Sequence, residues 1–224
     1  LTTRRPKPMV PIANRPMLEH TINLLKQNSI QDITATLHYL PETIEDHFQD
    51  GSQLGVKITY LREEKPLGTA GGVKQAEKLL NRTFLVFSGD VLSDIDLSKA
   101  IRFHQRKGAL ATIVLTRVPN PIEYGVIITD EEGRIKQFLE KPSWGEVFSD
   151  TINTGIYVLE PEALKQVKPK TEFDFSKDLF PKLLETGEPL YGYVADGYWC
   201  DIGNPIQYIP VSYTHLTLPT NREV

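Results

Sequence analysis

The feature that most constrains this chain is a pair of largely apolar runs, TFLVF (83–87) and ALATIVLTRV (109–118), each following a helix-like segment. Such runs, rich in β-branched and aromatic residues, are what strands buried on both faces require. Strands of that kind need helices to cover the sheet, and the chain supplies them. MLEHTINLLKQ (17–27) places Met17, Leu18, Leu24 and Leu25 near one face, Pro41 suits the first turn of a helix reaching His47 or Phe48, and Asp96 can cap LSKAIRFHQRK (97–107). LGTAGG (67–72) opens a helix over 73–80, and FSKDLFPKLLET (175–186) reads as helical despite Pro181. Shorter strands are expected at 33–37, 56–61, 125–129, 134–140, 153–160, 190–196 and 198–203, with Asp130–Gly133 as a hairpin turn. This β–α alternation predicts an α/β layer structure with a mainly parallel sheet flanked by helices.

Composition narrows the function classes. With 224 residues, 40% apolar and 24% charged, a sizeable core can be buried and disorder is not expected. Lys plus Arg number 25 against 29 Asp plus Glu, a net charge of −4, which argues against a protein that coats nucleic acid. No apolar run has the length of about 18 residues that a membrane helix needs. The basic start, LTTRRPKPM, lacks the apolar stretch of a signal peptide. Cys200, the single cysteine, excludes an intramolecular disulfide and fits a reducing, cytoplasmic setting.

Ligands of open α/β sheets bind beyond the carboxyl ends of strands, and three motifs fall there. Asp90 follows FLVFSG and can either hold a divalent cation or accept backbone hydrogen bonds in its turn. Leu67–Gly72 offers close backbone approach and helix N–H groups to an anion or a base edge; as a bare pattern, a plain Gly-rich turn explains it better. Asp201, in Trp199-Cys200-Asp201, can share a cation with Asp90 if the fold brings them together, or cap a helix starting near Asn204. Lys7, stiffened by Pro6 and Pro8, and Lys141, in Glu140-Lys141-Pro142, can neutralise phosphate or stay solvated. Asn153-Thr154-Gly155 suits sugar hydroxyls, or an ordinary turn. The five histidines have no metal-ligand spacing and are expected to be structural. Asp201 should raise the pKa of Cys200, which argues against a nucleophilic role for the thiol. Trp144, Phe148, Tyr198 and Trp199 read as packing residues.

Six segments in order carry a resemblance: RPKPMVPIANRPMLEH (5–20), EEKPLGTAGGV (63–73), FSGDVLSDIDL (87–97), EYGVIITDEEGRIKQFLEKP (123–142), DTINTGIYVLEPE (150–162) and GYWCDIGNP (197–205). Over residues 1–210 the chain resembles the sugar-1-phosphate nucleotidyltransferases, most of all the mannose-1-phosphate guanylyltransferase-like group. The resemblance implies a Rossmann-like nucleotidyltransferase core and an NDP-sugar, GDP-mannose first, made from GTP and mannose 1-phosphate. It implies that Lys7 contacts the triphosphate, that Glu63, Gly68 and Thr69 border base and ribose, and that Asp90 and Asp201 hold Mg²⁺. Glu140, Lys141, Asn153 and Gly155 would engage the sugar phosphate.

The same family opens with a strand and a GGxGTR-type loop that these 224 residues do not contain. The expectation is therefore one nucleotidyltransferase domain over 1–210 with its N-terminal strand missing, inactive as it stands. The stretch 211–224 departs from the preceding pattern and is expected to be a foreign or disordered tail. A homo-oligomer is expected only of a full-length protein. Three other readings compete: a glucose-1-phosphate thymidylyl-, uridylyl- or adenylyltransferase, a non-catalytic sugar-nucleotide-sensing subunit, and a glycosyltransferase using Asp94 and Asp96 as a DxD metal site.

Overall fold

The computed structural model describes residues 5–121, 124–140, 149–203 and 208. In chain order the first elements are β1 (Pro11–Ile12), β2 (Arg15–Pro16), α1 (Met17–Gln27), β3 (Asp32–Leu37), α2 (Pro41–Phe48), β4 (Lys57–Arg62), α3 (Gly68–Gln75), β5 (Phe84–Phe87) and β6 (Val91–Ser93). Then follow α4 (Leu97–Lys107), β7 (Ala111–Arg117), β8 (Gly125–Thr129), β9 (Ile135–Glu140), β10 (Thr151–Leu159), α5 (Phe180–Glu185), β11 (Leu190–Val194) and β12 (Trp199–Asp201). Over the described residues they divide into two compact units, one drawn from the spans 1–62, 88–95 and 197–224, the other from 63–87 and 96–196.

In the first unit, β3 and β4 run parallel from Asp32↔Lys57 to Leu37↔Arg62, with α2 as their crossover. Ile22, Leu37, Ile44, Phe48, Val56 and Ile58 form the core between helices and strands. β1 and β2 make a tight hairpin through Ala13 and Asn14, both at positive φ (48° and 64°), the mirror-image turn that suits strand twist. A second cluster of Ile12, Met17, Leu92 and Ile202 packs α1 and the hairpin against β6 and β12.

The second unit holds one sheet in the order β11-β7-β10-β8-β9, with β5 also paired to β10. β7 and β11 are parallel and the other ladders of this sheet antiparallel, so the expected α/β layer structure is present with a mixed sheet. β7 is buried from Ala111 to Thr116, as its sequence predicts. β5 is not: all four of its residues are half-buried. Among the described strands only β10 pairs with it, so one edge lacks the neighbour that full burial needs.

The helix expected over 73–80 begins instead at Gly68 and ends at Gln75, followed by a 3₁₀ turn over Glu77–Leu79. The glycines sit inside α3 because another segment crosses it closely. A Cβ on Gly68 would lie 2.6 Å from the Phe173 carbonyl oxygen, and one on Gly71 2.6 Å from that of Thr171. The segment 175–186 is helical, but a π-helical turn (Phe175–Leu179) precedes α5. Pro181 accounts for the break, since it has no N–H and its ring displaces the carbonyl a turn earlier. Phe175 and Phe180 are buried against Tyr157, each 4.9 Å from it between ring centroids.

His104, on α4, is 1% exposed and bonded at both ring nitrogens, to the Thr112 hydroxyl (2.9 Å) and a Glu160 carboxylate oxygen (3.1 Å). Thr83 donates to that same oxygen at 2.6 Å. Burial pushes the imidazole pKa below 6.5, against the opposing pull of Glu160.

Candidate functional site

The first unit gathers Lys7, Asp90 and Asp201. Pro6 enters a 3₁₀ turn (Lys7–Met9) whose Met9 is buried, leaving Lys7 exposed at a stiff position. Gly89 lets this segment come close: a Cβ there would stand 3.2 Å from Pro8 Cγ. Lys7 Nζ lies 3.3 Å from Asp90 Oδ2, and Ser88 donates its hydroxyl to Asp90 Oδ1 at 2.6 Å. Among the described residues Asp90 takes side-chain donors, Lys7 and Ser88.

Asp201 arrives on β12. Its register against β6 sets Asp201 opposite Val91, and the Ile202 N–H donates to the Asp90 carbonyl at 2.9 Å. Two residues far apart along the chain therefore become neighbours through one short antiparallel ladder. Burial first, then the Asp90 charge, raises the Asp201 carboxyl above its ordinary value, and Lys7 opposes them. Like charges held together in a half-buried place are what a bound cation would relieve. Two carboxylates also match Mg²⁺, which keeps several waters and takes one or two protein carboxylates beside substrate phosphates. No group of three or more His, Cys, Asp or Glu residues arranged for a metal occurs among the described residues.

The second unit carries the other expected residues. Glu63 Oε2 accepts from the Leu67 N–H at 3.1 Å, shaping the approach to α3. Gly68, at φ +70°, and Thr69 form the first turn of α3. The Ala70 and Gly71 N–H groups both donate to the Phe173 carbonyl (2.9 and 3.0 Å), which fits the plain Gly-rich turn that the bare pattern favoured over an anion site at these two groups. Asn153 and Gly155 sit where the β10–β7 register shifts, with Gly155 at φ +76°. Bulges of this kind re-aim side chains beside active sites. Lys141 and the side chain of Glu140 lie outside the described residues, as do Trp144, Phe148, residues 211–224 and the helix start near Asn204 that Asp201 was expected, on one reading, to cap.

The remaining candidates have structural work. Asp94 Oδ1 accepts from the Tyr198 N–H at 2.6 Å, and Asp96 caps α4 through the Lys99 N–H at 3.2 Å, the helix cap expected of it. The Cys200 thiol is pushed up, by burial more than by Asp201. A concavity of about 680 Å³ includes Arg15, His20, Asn23 and Asp94 in its lining, but not Lys7, Asp90 or Asp201. Sequence reasoning missed Ser88, Asp174 and Ser176. The last two could have been found from the Asp-x-Ser spacing of a helix cap, since Asp174 Oδ1 accepts from the N–H groups of Ser176 and Lys177.

The model of the family described as nucleotidyl transferase matches residues 1–217. The chain is 40% identical over 222 residues to a UTP–glucose-1-phosphate uridylyltransferase of Synechocystis sp., covering 93% of this chain and 57% of that protein. It is equally 40% identical over 211 residues to a mannose-1-phosphate guanylyltransferase of Mycobacterium tuberculosis, covering 93% and 58%. The chain thus spans less than three-fifths of either relative's length. Among solved structures, HddC from Yersinia pseudotuberculosis complexed with GMP-PN superposes with a TM-score of 0.82 at 26% identity, over 96% of this chain and 93% of that one.

Proposed function

This chain belongs to the nucleotidyl transferase family, and from that premise we propose that it serves a sugar-1-phosphate nucleotidyltransferase, with GTP and mannose 1-phosphate as substrates. The observation that carries the proposal is the meeting of Lys7, Asp90 and Asp201 through the β6–β12 ladder.

An oxygen of the sugar 1-phosphate attacks the α-phosphorus of the nucleotide in line. The bond from that phosphorus to the bridging oxygen breaks, and pyrophosphate leaves with the electron pair. The attacking phosphate is already ionised, so no side chain has to remove a proton. Catalysis then consists of positioning and charge neutralisation. Lys7 supplies a cation to the triphosphate, and Asp90 and Asp201 would hold Mg²⁺. A bound Mg²⁺ would neutralise phosphate oxygens and orient them. Ser88 fixes the rotamer of Asp90 through its short hydrogen bond. On the sugar side, Asn153 and Gly155 would meet the sugar, and Glu140 and Lys141 its phosphate. On the nucleotide side, Glu63, Gly68 and Thr69 would border base and ribose. A cytoplasmic setting belongs to the same proposal; among the described residues no helix is long and apolar enough to cross a membrane.

The relative named as a uridylyltransferase is as similar as the one named as a guanylyltransferase, which favours UTP with glucose 1-phosphate as the second reading. Calorimetric titration with each nucleotide and sugar 1-phosphate, with Mg²⁺ present, separates the two. Pyrophosphate release is read in the same chain and in one carrying a GGxGTR-type loop ahead of Leu1. Binding of GTP and mannose 1-phosphate is expected, and pyrophosphate release from the form that carries the loop. A folded chain that binds no sugar phosphate, and releases no pyrophosphate in either form, contradicts the proposal.

A further inference from the structure

The turn Asp174–Ser176 does more than start a helix. It reaches two side chains that the proposed function assigns to opposite substrates, Thr69 and Asn153. The Thr69 hydroxyl donates its proton to Asp174 Oδ2 at 2.8 Å and accepts the Phe175 N–H at 3.0 Å. A hydroxyl has one proton and two lone pairs, so one lone pair is all that Thr69 has left. Asn153 is committed in the same sense. Its Nδ2 donates to the Tyr157 hydroxyl at 3.2 Å and to Ser176 Oγ at 2.9 Å, which uses both amide protons. Its Oδ1 accepts the Gly155 N–H at 2.9 Å and keeps one lone pair. A backbone N–H can only donate, so Gly155 fixes which end of the amide is oxygen.

The anchors behind these bonds are firm. Asp174 Oδ1 is held by the Ser176 and Lys177 N–H groups (2.8 and 3.2 Å), which orients Oδ2 toward Thr69. Tyr157 is buried, and burial pushes its hydroxyl up to about 12, so at neutral pH it stays a protonated partner. Thr69 is exposed and Asn153 half-buried, so a ligand can reach both. The π-helical turn that begins at Phe175 sets the spacing of the cap and Ser176, and such turns recur at functional sites.

We infer that Asp174 and Ser176 are positioning residues that lock Thr69 and Asn153 as hydrogen-bond acceptors only, so that the site selects ligands presenting O–H or N–H donors to both. An asparagine and a threonine would ordinarily offer either role. Here each reads one polarity: a sugar hydroxyl as donor at Asn153, and a ribose hydroxyl or base N–H as donor at Thr69. The selection rests on the proposed function; the lock itself does not.

The test has two arms. In the ligand-free chain, NMR exchange of the Asn153 side-chain amide protons reads the lock directly. Protection of both protons is expected in the wild type, lost at one of them in Ser176→Ala and restored there in Ser176→Thr; an unprotected wild-type amide overturns the lock. The second arm measures binding of mannose 1-phosphate, glucose 1-phosphate and their deoxy and deoxyfluoro analogues. One hydroxyl position is expected at which deletion weakens binding by about tenfold. Fluorine, which cannot donate, should fail to restore it in the wild type and should restore part of it in Ser176→Ala, where an amide proton is freed. Equal binding of the hydroxyl and fluoro forms to the wild type overturns the selection. A protected amide with no sugar phosphate bound overturns the proposed function, and the selection with it, while the lock stands.

Discussion

Asp201 sits half-buried with a second carboxylate beside it, and its raised carboxyl pKa reports a charge the fold holds at a cost. Replacing it by asparagine keeps the shape and removes the repulsion. We therefore expect Asp201→Asn to leave thermal stability unchanged or raised, while Mg²⁺-dependent turnover, read in a chain that carries a GGxGTR-type loop, falls by about a hundredfold or more. A stability loss matching the loss of turnover would make Asp201 a structural residue. Gly68 predicts the opposite pattern. Its φ of +70°, and the Phe173 carbonyl oxygen 2.6 Å from where a Cβ would stand, leave no room for a side chain. Gly68→Ala should cost about 1–3 kcal/mol in urea unfolding; a cost near zero would mean that the 171–173 segment can withdraw.

Elements explain which parts of the sequence were legible. α1, α2 and α4 follow from apolar spacing and end signals, and the structure places them at the expected residues, with Asp96 capping α4 as expected. β7 follows from its apolar run. β5 carries the same kind of run but is half-buried, because burial depends on neighbours that a local pattern does not specify. The early start of α3 was hidden for the same reason: its glycines answer to residues 171–173, a hundred positions further on. The His104 latch joining α4, β7 and the end of β10 was likewise invisible, since Thr112 and Glu160 are ordinary residues in sequence. It has a pH signature. The folded pKa lies below 6.5, so as pH falls the unfolded chain takes up the proton first. The latch contributes its full stability above pH 6.5 and loses it as pH drops below that value, until folded His104 also protonates. Urea unfolding at pH 7.5 and 5.5 should show a larger acid loss in the wild type than in His104→Gln; equal losses would remove His104 as the cause.

At the scale of the molecule, each unit has its own core, and the expected site residues divide between them. The family resemblance carried by the order of six segments proposed Lys7, Asp90, Thr69, Asp201 and Asn153 as site residues; residue chemistry alone was compatible with those roles and did not assign them. What they could not supply was partnership: that Ser88 and Lys7 hold Asp90, or that Asp174 and Ser176 hold Thr69 and Asn153, are facts of folding across distant segments. The proposed chemistry requires Asp90 and Asp201 to act as one site. Calorimetric titration of GTP with and without Mg²⁺ into the wild type, Asp90→Asn, Asp201→Asn and the double variant tests this most directly. Mg²⁺ should strengthen binding in the wild type, either single substitution should abolish that gain, and the double variant should lose nothing further. A gain from Mg²⁺ that survives in either single variant would contradict the shared site.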